Sequence, residues 1–414
     1  MAGHDFFANR QNYFLNVSST FRGGLYAALL IGLVTLGIAF TSGDPTRAWG
    51  ALIFNTFFFF SIALGGVAFC GMQDIIGAVW GRPIRRLHEA FSSFLPVASV
   101  LFLIVLCAIQ FNILGAGSIF SWIENPSMLD HFWGKKTWLQ KNFMITRDIV
   151  CLGIICTLAH WQVSLGTVRD AAFIAGKTAE AKQMGIAARD QARYWSAPIL
   201  FIYALCYTVI AFDMLMSLSP MWLSTLWGGW CFAIMMQTLM ASLLLAMFGL
   251  RETSFGHFFK RQQFHDVGKL MHGFTVFFGY LTYAHILTYW YGNVPEETEY
   301  YIHRLHGPWL YFVMILPIFN FLIPLFAMIF KASKWTKQIA VPIASLILLA
   351  QWGVYLLIVM PDTVKGPWTL PWVELGTGCF VLGAFLTSFV TFAKKHPMLP
   401  IADPLLQDSL GGGH

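Results

Sequence analysis

Side chains able to carry a proton or ligate a metal are rare inside the long apolar runs of this 414-residue chain. Arg147 and Asp148 open one such run, His160 stands further along it, and Asp213 nearly closes the next, four residues before Ser217. A later run begins His265-Asp266-x-x-Lys269-x-x-His272 and continues through Tyr280, Thr282, Tyr283, His285 and Tyr289. On a helix turning 100° per residue, His272, Thr275, Gly279 and Tyr283 share one face, and Thr282, His285 and Tyr289 another. Carboxyl, imidazole and hydroxyl groups so spaced can relay protons or meet a quinone, with histidine changing charge near neutral pH. The same groups also bond helix to helix in membranes. Asp213, His285, His272, His160, Asp148, Tyr283 and Thr282 are therefore the candidates for a proton route. Asp213 and His285 would form one half of it and His272 and His160 the other, with Tyr283, Thr282 and water between. Each should face the bundle interior, because lipid offers its polar atoms no partner.

Other chemistries find no support in the residues. The seven cysteines (Cys70, Cys107, Cys151, Cys156, Cys206, Cys231 and Cys379) lie in apolar runs, with no C-x-x-C or C-x-x-C-H among them. That spacing suits small buried side chains rather than an iron–sulfur cluster or covalent haem. A b-type haem clamped by His160 and His285 would need both rings at one depth, yet their helix positions differ by roughly 10 Å in depth. No cofactor held covalently or by metal ligation is expected; a bound quinone or lipid is compatible. Walker, dinucleotide-binding, H-E-x-x-H and nucleophile-elbow motifs are absent from the sequence, so neither an ATPase, a hydrolase nor a metal-centred catalyst is indicated.

The elements that must position these groups follow from composition. Hydrophobic residues make up 57% of the chain and charged residues 11%, less than half the roughly 25% charge of a soluble protein. The expected class is an all-α polytopic membrane protein, one integral membrane domain over 1–414. Apolar runs long enough to span a bilayer fall at about 24–42, 50–79, 93–117, 147–167, 195–217, 223–250, 267–292, 307–330, 338–360 and 370–393. The first is too long for a cleaved signal peptide and reads as an anchor that stays. Of the 26 Lys and Arg, 19 fall on the side of the termini and the loops near 80–92, 168–194, 251–266 and 331–337. The other seven are Arg47, Lys135, Lys136, Lys141, Arg147, Arg304 and Lys365. The bias predicts both termini in the cytoplasm. Segment 118–146, with Trp122, Trp133 and Trp138, is expected on the outer membrane surface or against a partner, and 168–194 as a cytoplasmic interfacial helix. Asp74 should pair with Arg82, Arg85 or Arg86, and His303 and His306 should meet solvent or a partner. Despite the net charge of +6, nothing in its distribution suggests nucleic-acid binding.

The runs AFDMLMSLSPMWLSTLWG (211–228) and DVGKLMHGFTVFFGYLTYAHILTYWYGNVPEETEYYIHRLHGPW (266–309) resemble the F-subunit family of bacterial alternative complex III, which is related to the NrfD-like membrane subunits of polysulfide reductases. WYGNVPEET and the HR that follows are the most specific part. The resemblance implies two four-helix bundles plus two flanking helices in the bacterial inner membrane. It also implies a role in quinol oxidation, with electrons passed to a cytochrome c or a terminal oxidase. The partners implied are a homologous ten-helix subunit, an iron–sulfur subunit, c-type cytochrome subunits and membrane lipids. In that family the subunit is of quinone-binding type and is thought to help conduct protons. The family pattern reads Asp-Trp and Asp-Pro-His-Trp where this chain has Asp213-Met214 and Ser219-Pro220-Met221-Trp222, so a polar route at that end would differ here. The other reading is a secondary transporter of a small solute or ion. Such a protein often has interrupted helices at matched positions in its two halves; Pro317 and Pro324 break one span, and no matching break stands in an earlier one.

Overall fold

The computed structural model describes residues 10–41, 44–130, 133–364, 368 and 370–411; Lys365 lies outside them. Helix makes up 83% of it and no strand forms among the described residues, so nearly every backbone donor and acceptor is satisfied within its own segment, as a hydrocarbon surround demands. Ten long helices carry the architecture: α1 (Ser19–Thr41), α2 (Pro45–Ile75), α3 (Leu95–Phe111), α4 (Lys141–Ile174), α5 (Thr178–Met214), α6 (Trp227–Gly249), α7 (Arg261–Gly292), α8 (Trp309–Ala327), α9 (Lys337–Thr363) and α10 (Trp372–Lys395). Among the described residues, nine helices are both long and apolar enough to cross a membrane. The expected span 267–292 lies within α7, which has the length but falls outside that nine, because histidine, threonine and tyrosine occupy several of its otherwise apolar positions.

Helices α2 to α5 form one bundle and α6 to α9 a second, with α1 and α10 packed on each other and against α2. The apolar stretch of α2 is completely buried, and its Phe57–Phe60 run fills the junction with edge-on and tilted contacts to Phe102, Tyr207 and Tyr355. Glycine is required at one such approach: a Cβ on Gly66 would stand 2.5 Å from the carbonyl oxygen of His88. Helix α8 is kept continuous between Pro317 and Pro324 by a π turn, Ile318–Leu322. Proline removes a backbone donor, and a wider turn is one way a helix absorbs that loss.

One expectation about loops needs correction. Segment 168–194 is no separate surface helix: α4 runs on to Ile174 and α5 begins at Thr178, so the segment is a hairpin of two long helices joined by a short turn at Gly176. Ala-rich sequence with scattered charge extends a helix as readily as it floats one. The described residues of segment 118–146 form short helices over the bundle end, burying Trp122, half-burying Lys135 and leaving Trp138 exposed, although its indole N–H reaches Asp213.

At the opposite end, four arginines and four carboxylates make a buried, charge-balanced network. Arg85 binds both oxygens of Asp74 (2.5 and 2.8 Å) and Glu89 (3.0 Å), and Arg86 bridges Glu89 and Asp170. Arg82 and Arg169 hold Asp403 of the carboxy-terminal segment at 3.4 and 3.5 Å, and Asp170 accepts from the backbone N–H of Ala402 at 3.1 Å. The pairing expected of Asp74 is met, in a far larger cluster. A cavity of about 20 Å³ between Asp74, Arg82, Arg85, Arg169 and Asp403 has room for one water molecule.

Candidate functional site

The end of α4 and the end of α5 bring Asp148 and Asp213 together. Asp213 is fully buried and receives two 2.7 Å hydrogen bonds from Arg147 and one of 3.0 Å from the Trp138 indole. The guanidinium lies over the Trp138 ring at 3.7 Å. Asp148 is equally buried and lies against the Asp213 carboxyl, and among the described residues no N–H or hydroxyl donor reaches its oxygens. The two neighbouring acids are thus unlike: one is locked in a bidentate ion pair, and the other is free to take a proton.

Beyond them, buried polar groups continue through the molecule. Tyr207 stands six residues before Asp213 on α5, about 9 Å along the axis. Its hydroxyl meets Ser61 of α2 at 3.0 Å, and Ser61 meets Tyr355 of α9 at 2.9 Å. One turn from Tyr355, about 6 Å along α9, Gln351 donates to Gln237 of α6 at 2.5 Å. Gln237 donates in turn to Thr275 of α7 and to the Asn320 carbonyl in the π turn, both at 3.1 Å. His272 follows Thr275 by one turn, half-buried, with its Nδ1 unpartnered. The series crosses from the first bundle to the second where α2, α5, α6 and α9 meet.

A second cluster surrounds His285, on the Asp213 side of the molecule. His285 Nε2 lies 2.7 Å from the Ser224 hydroxyl, Trp230 donates to Thr282 at 2.8 Å, and Tyr289 donates to the Leu223 carbonyl at 2.5 Å. Trp222 stacks on Tyr300 at 4.1 Å, and Arg304 covers the other side of that phenol at 3.5 Å while gripping Asp362 at 2.5 Å. Ser219 donates to the same carboxylate at 2.7 Å, and exposed His303 lies 3.8 Å from it. Burial pushes the Tyr300 phenol up to about 12, against the pull of Arg304, so it keeps its proton at neutral pH. Burial pushes the Lys135 ammonium down to about 8, against the pull of Glu297, so that group exchanges a proton near physiological pH.

Of the seven residues singled out in the sequence, Asp148, Asp213, Thr282 and His285 lie in these two clusters, and His272 ends the buried series. His160 and Tyr283 do not face the interior as expected. His160 is exposed on the outside of α4, and Tyr283 is 62% exposed on α7. The grouping on one face was too broad: Tyr283 lies two turns and about 80° beyond Thr275, enough for Thr275 to turn inward while Tyr283 turns out. Ser61, Tyr207, Gln237, Asn320, Gln351 and Tyr355 were missed. The signal for most of them was present: a single amide or hydroxyl in a run such as FFFFSIAL, MMQTLM, IFNFL or LAQWG is costly in a bilayer unless it is paired.

Among the described residues no three His, Cys, Asp or Glu side chains converge as metal ligands would. No protein-family model matches the chain and no curated protein matches it, so a functional reading rests on this geometry and on the residues themselves.

Proposed function

We propose that the chain is an integral membrane subunit of a quinol-oxidising electron-transfer complex and that it carries protons between the two membrane faces. One observation carries the proton role: a buried polar series runs from Asp148 and Asp213 through Tyr207, Ser61, Tyr355, Gln351, Gln237 and Thr275 to His272. Water must fill the gap of about two helical turns between Asp213 and Tyr207. Asp213 is the anchor of this route and Asp148 the carrier, because Arg147 and Trp138 already occupy the Asp213 oxygens. The redox setting is supported by the two sequence runs that resemble the alternative complex III F-subunit family. They meet in space through Ser224 and His285, Leu223 and Tyr289, and Trp222 and Tyr300. In this reading the multi-pass chain sits in a bacterial inner membrane with both termini cytoplasmic. Its partners are iron–sulfur, c-type cytochrome and homologous ten-helix subunits, with a cytochrome c or a terminal oxidase as electron acceptor, and quinone and lipid are its small-molecule ligands. Replacing Asp148 with Asn keeps its shape and removes the proton. The expected result, in an assembled complex that retains its haems, is a fall in proton release per electron to the single proton that quinol oxidation itself sets free. Unchanged proton release would overturn the route.

A specific observation also favours transport of a small solute or ion. Both amide atoms of Asn320 are buried and unpartnered at the π turn between two prolines. Purification from native membranes separates the readings: haem proteins recovered in fixed proportion support the redox complex, and the chain recovered without them supports transport.

A further inference from the structure

Helix α7 packs along α6 and touches α8 near its middle; its other side is open. The open side carries Gly273, Val276, Tyr280, Tyr283, Leu287 and Trp290. These form two rows of sevenfold spacing, 273–280–287 and 276–283–290, which is the pattern of a helix seam. Tyr280 is 64% exposed, Trp290 79%, and a Cβ added at Gly273 would meet no atom within 4 Å. Depth makes this face unusual. Between Lys269 and Trp290 the helix rises about 32 Å, which places Tyr280 about 16 Å and Tyr283 about 10 Å from the nearer end. A tyrosine side chain cannot reach either interface from there, and neither hydroxyl has a partner on this chain among the described residues. A hydroxyl left in hydrocarbon without an acceptor is costly. Lipid is therefore the wrong complement for α7, among the described residues the one long helix too polar to count with the apolar spans.

We propose that this face of α7 docks a membrane-spanning helix of a different polypeptide, one lined with small residues and presenting hydrogen-bond acceptors at the depth of Tyr280 and Tyr283. A second copy of this chain fits less well. Across a two-fold axis between parallel helices, like would face like, and Tyr280, Tyr283 and Trp290 would meet their own bulk, whereas close helix pairs in membranes set small residues at the contact. Small side chains on the partner let it approach and expose its backbone carbonyls to the two hydroxyls. The inference rests on the chain being one subunit of a membrane assembly and adds which face joins it.

The test uses the full chain in its native membrane, with photoreactive benzoylphenylalanine in place of Tyr280 or Tyr283, and at Leu33 of α1 and Leu349 of α9 as exposed comparison positions. The expected result is a cross-link from 280 and 283 to one foreign chain, with the linked peptide mapping to a membrane-spanning segment of it and little from the comparison positions. The Tyr280→Phe/Tyr283→Phe double variant keeps the rings and removes both hydroxyls, and it should lower recovery of that partner at least threefold while the chain itself stays folded. Cross-links to a second copy, to lipid alone or to a soluble segment would overturn the proposal, as would unchanged recovery with the double variant. Foreign cross-links at Leu33 or Leu349 with none at 280 and 283 would leave the assembly standing and remove this face from it. Absence of any foreign chain at all four positions would remove both.

Discussion

Asp213 and Asp148 show how neighbouring residues of one type divide their tasks. Two guanidinium hydrogen bonds, an indole N–H and complete burial make Asp213 part of a structural ion pair that ties α4 to α5 and to the loop carrying Trp138. Removing one partner of a buried pair strands the other charge, which costs about 3–5 kcal/mol, whereas replacing both with apolar groups is often close to neutral. Asp213→Asn and Arg147→Met should each lower stability by an amount in that range, and the Arg147→Met/Asp213→Leu double variant should recover most of it. Thermal unfolding in detergent checks this; an Asp213→Asn chain as stable as the parent would mean that the pair contributes nothing. The presence of both acids was legible in the sequence. Their difference was not, because it depends on Arg147 and Trp138 reaching Asp213 rather than Asp148, across 66 residues of sequence in the case of Arg147.

At the scale of elements, the carboxy-terminal segment is held by the backbone of the amino-terminal segment and by side chains from around Arg82 and from Arg169–Asp170. Met398 N–H donates to the Tyr13 carbonyl and Leu15 N–H to the Ala393 carbonyl, so the two terminal segments clasp each other beside the arginine network. Asp403 then enters that network. Burial alone would raise its carboxyl, but Arg169, Arg82 and Arg85 bring it below its ordinary value. A carboxyl lowered by folding contributes stability that is complete above its unfolded value of about 3.9 and is lost as pH falls through the lower folded value. Hydrogen exchange of amides 400–408 should accordingly stay slow from neutral pH down to the ordinary carboxylate range and quicken below it. Asp403→Asn should quicken it already at pH 7, and slow exchange in that variant would show that the ion pairs do not hold the segment. The sequence marked the arginines of 82–86 as an interfacial group. It did not reveal that residues from 169–170 and 403 complete the cluster, since that pairing spans more than three hundred positions.

For the whole molecule, the arginine network and the Asp213 cluster occupy opposite ends, and the proposed topology puts the first on the cytoplasmic side. Cysteines introduced by Lys136→Cys and Lys177→Cys, both at exposed positions, should react with a membrane-impermeant maleimide from opposite sides, the first from outside intact cells and the second only after the membrane is opened. Labelling of both from one side would overturn the topology. Helix number, the membrane class and the positions of the ionisable groups were determined by the sequence itself, because a run of about 20 apolar residues has few other fates and a charge within it is conspicuous. Tertiary structure alone decided which face of each helix turns inward. A period of 3.6 residues relates Thr275 to Tyr283, and Asp148 to His160, but only as relative angles. In a soluble protein the apolar stripe would fix the absolute direction. Here lipid and protein interior are both apolar, so packing chooses instead: Gly66 against His88, Gln237 against Gln351, Ser61 between two tyrosines. Gln237 meets Thr275 and Ser224 meets His285 inside the bundle, while His160 and Tyr283 stay on its outside.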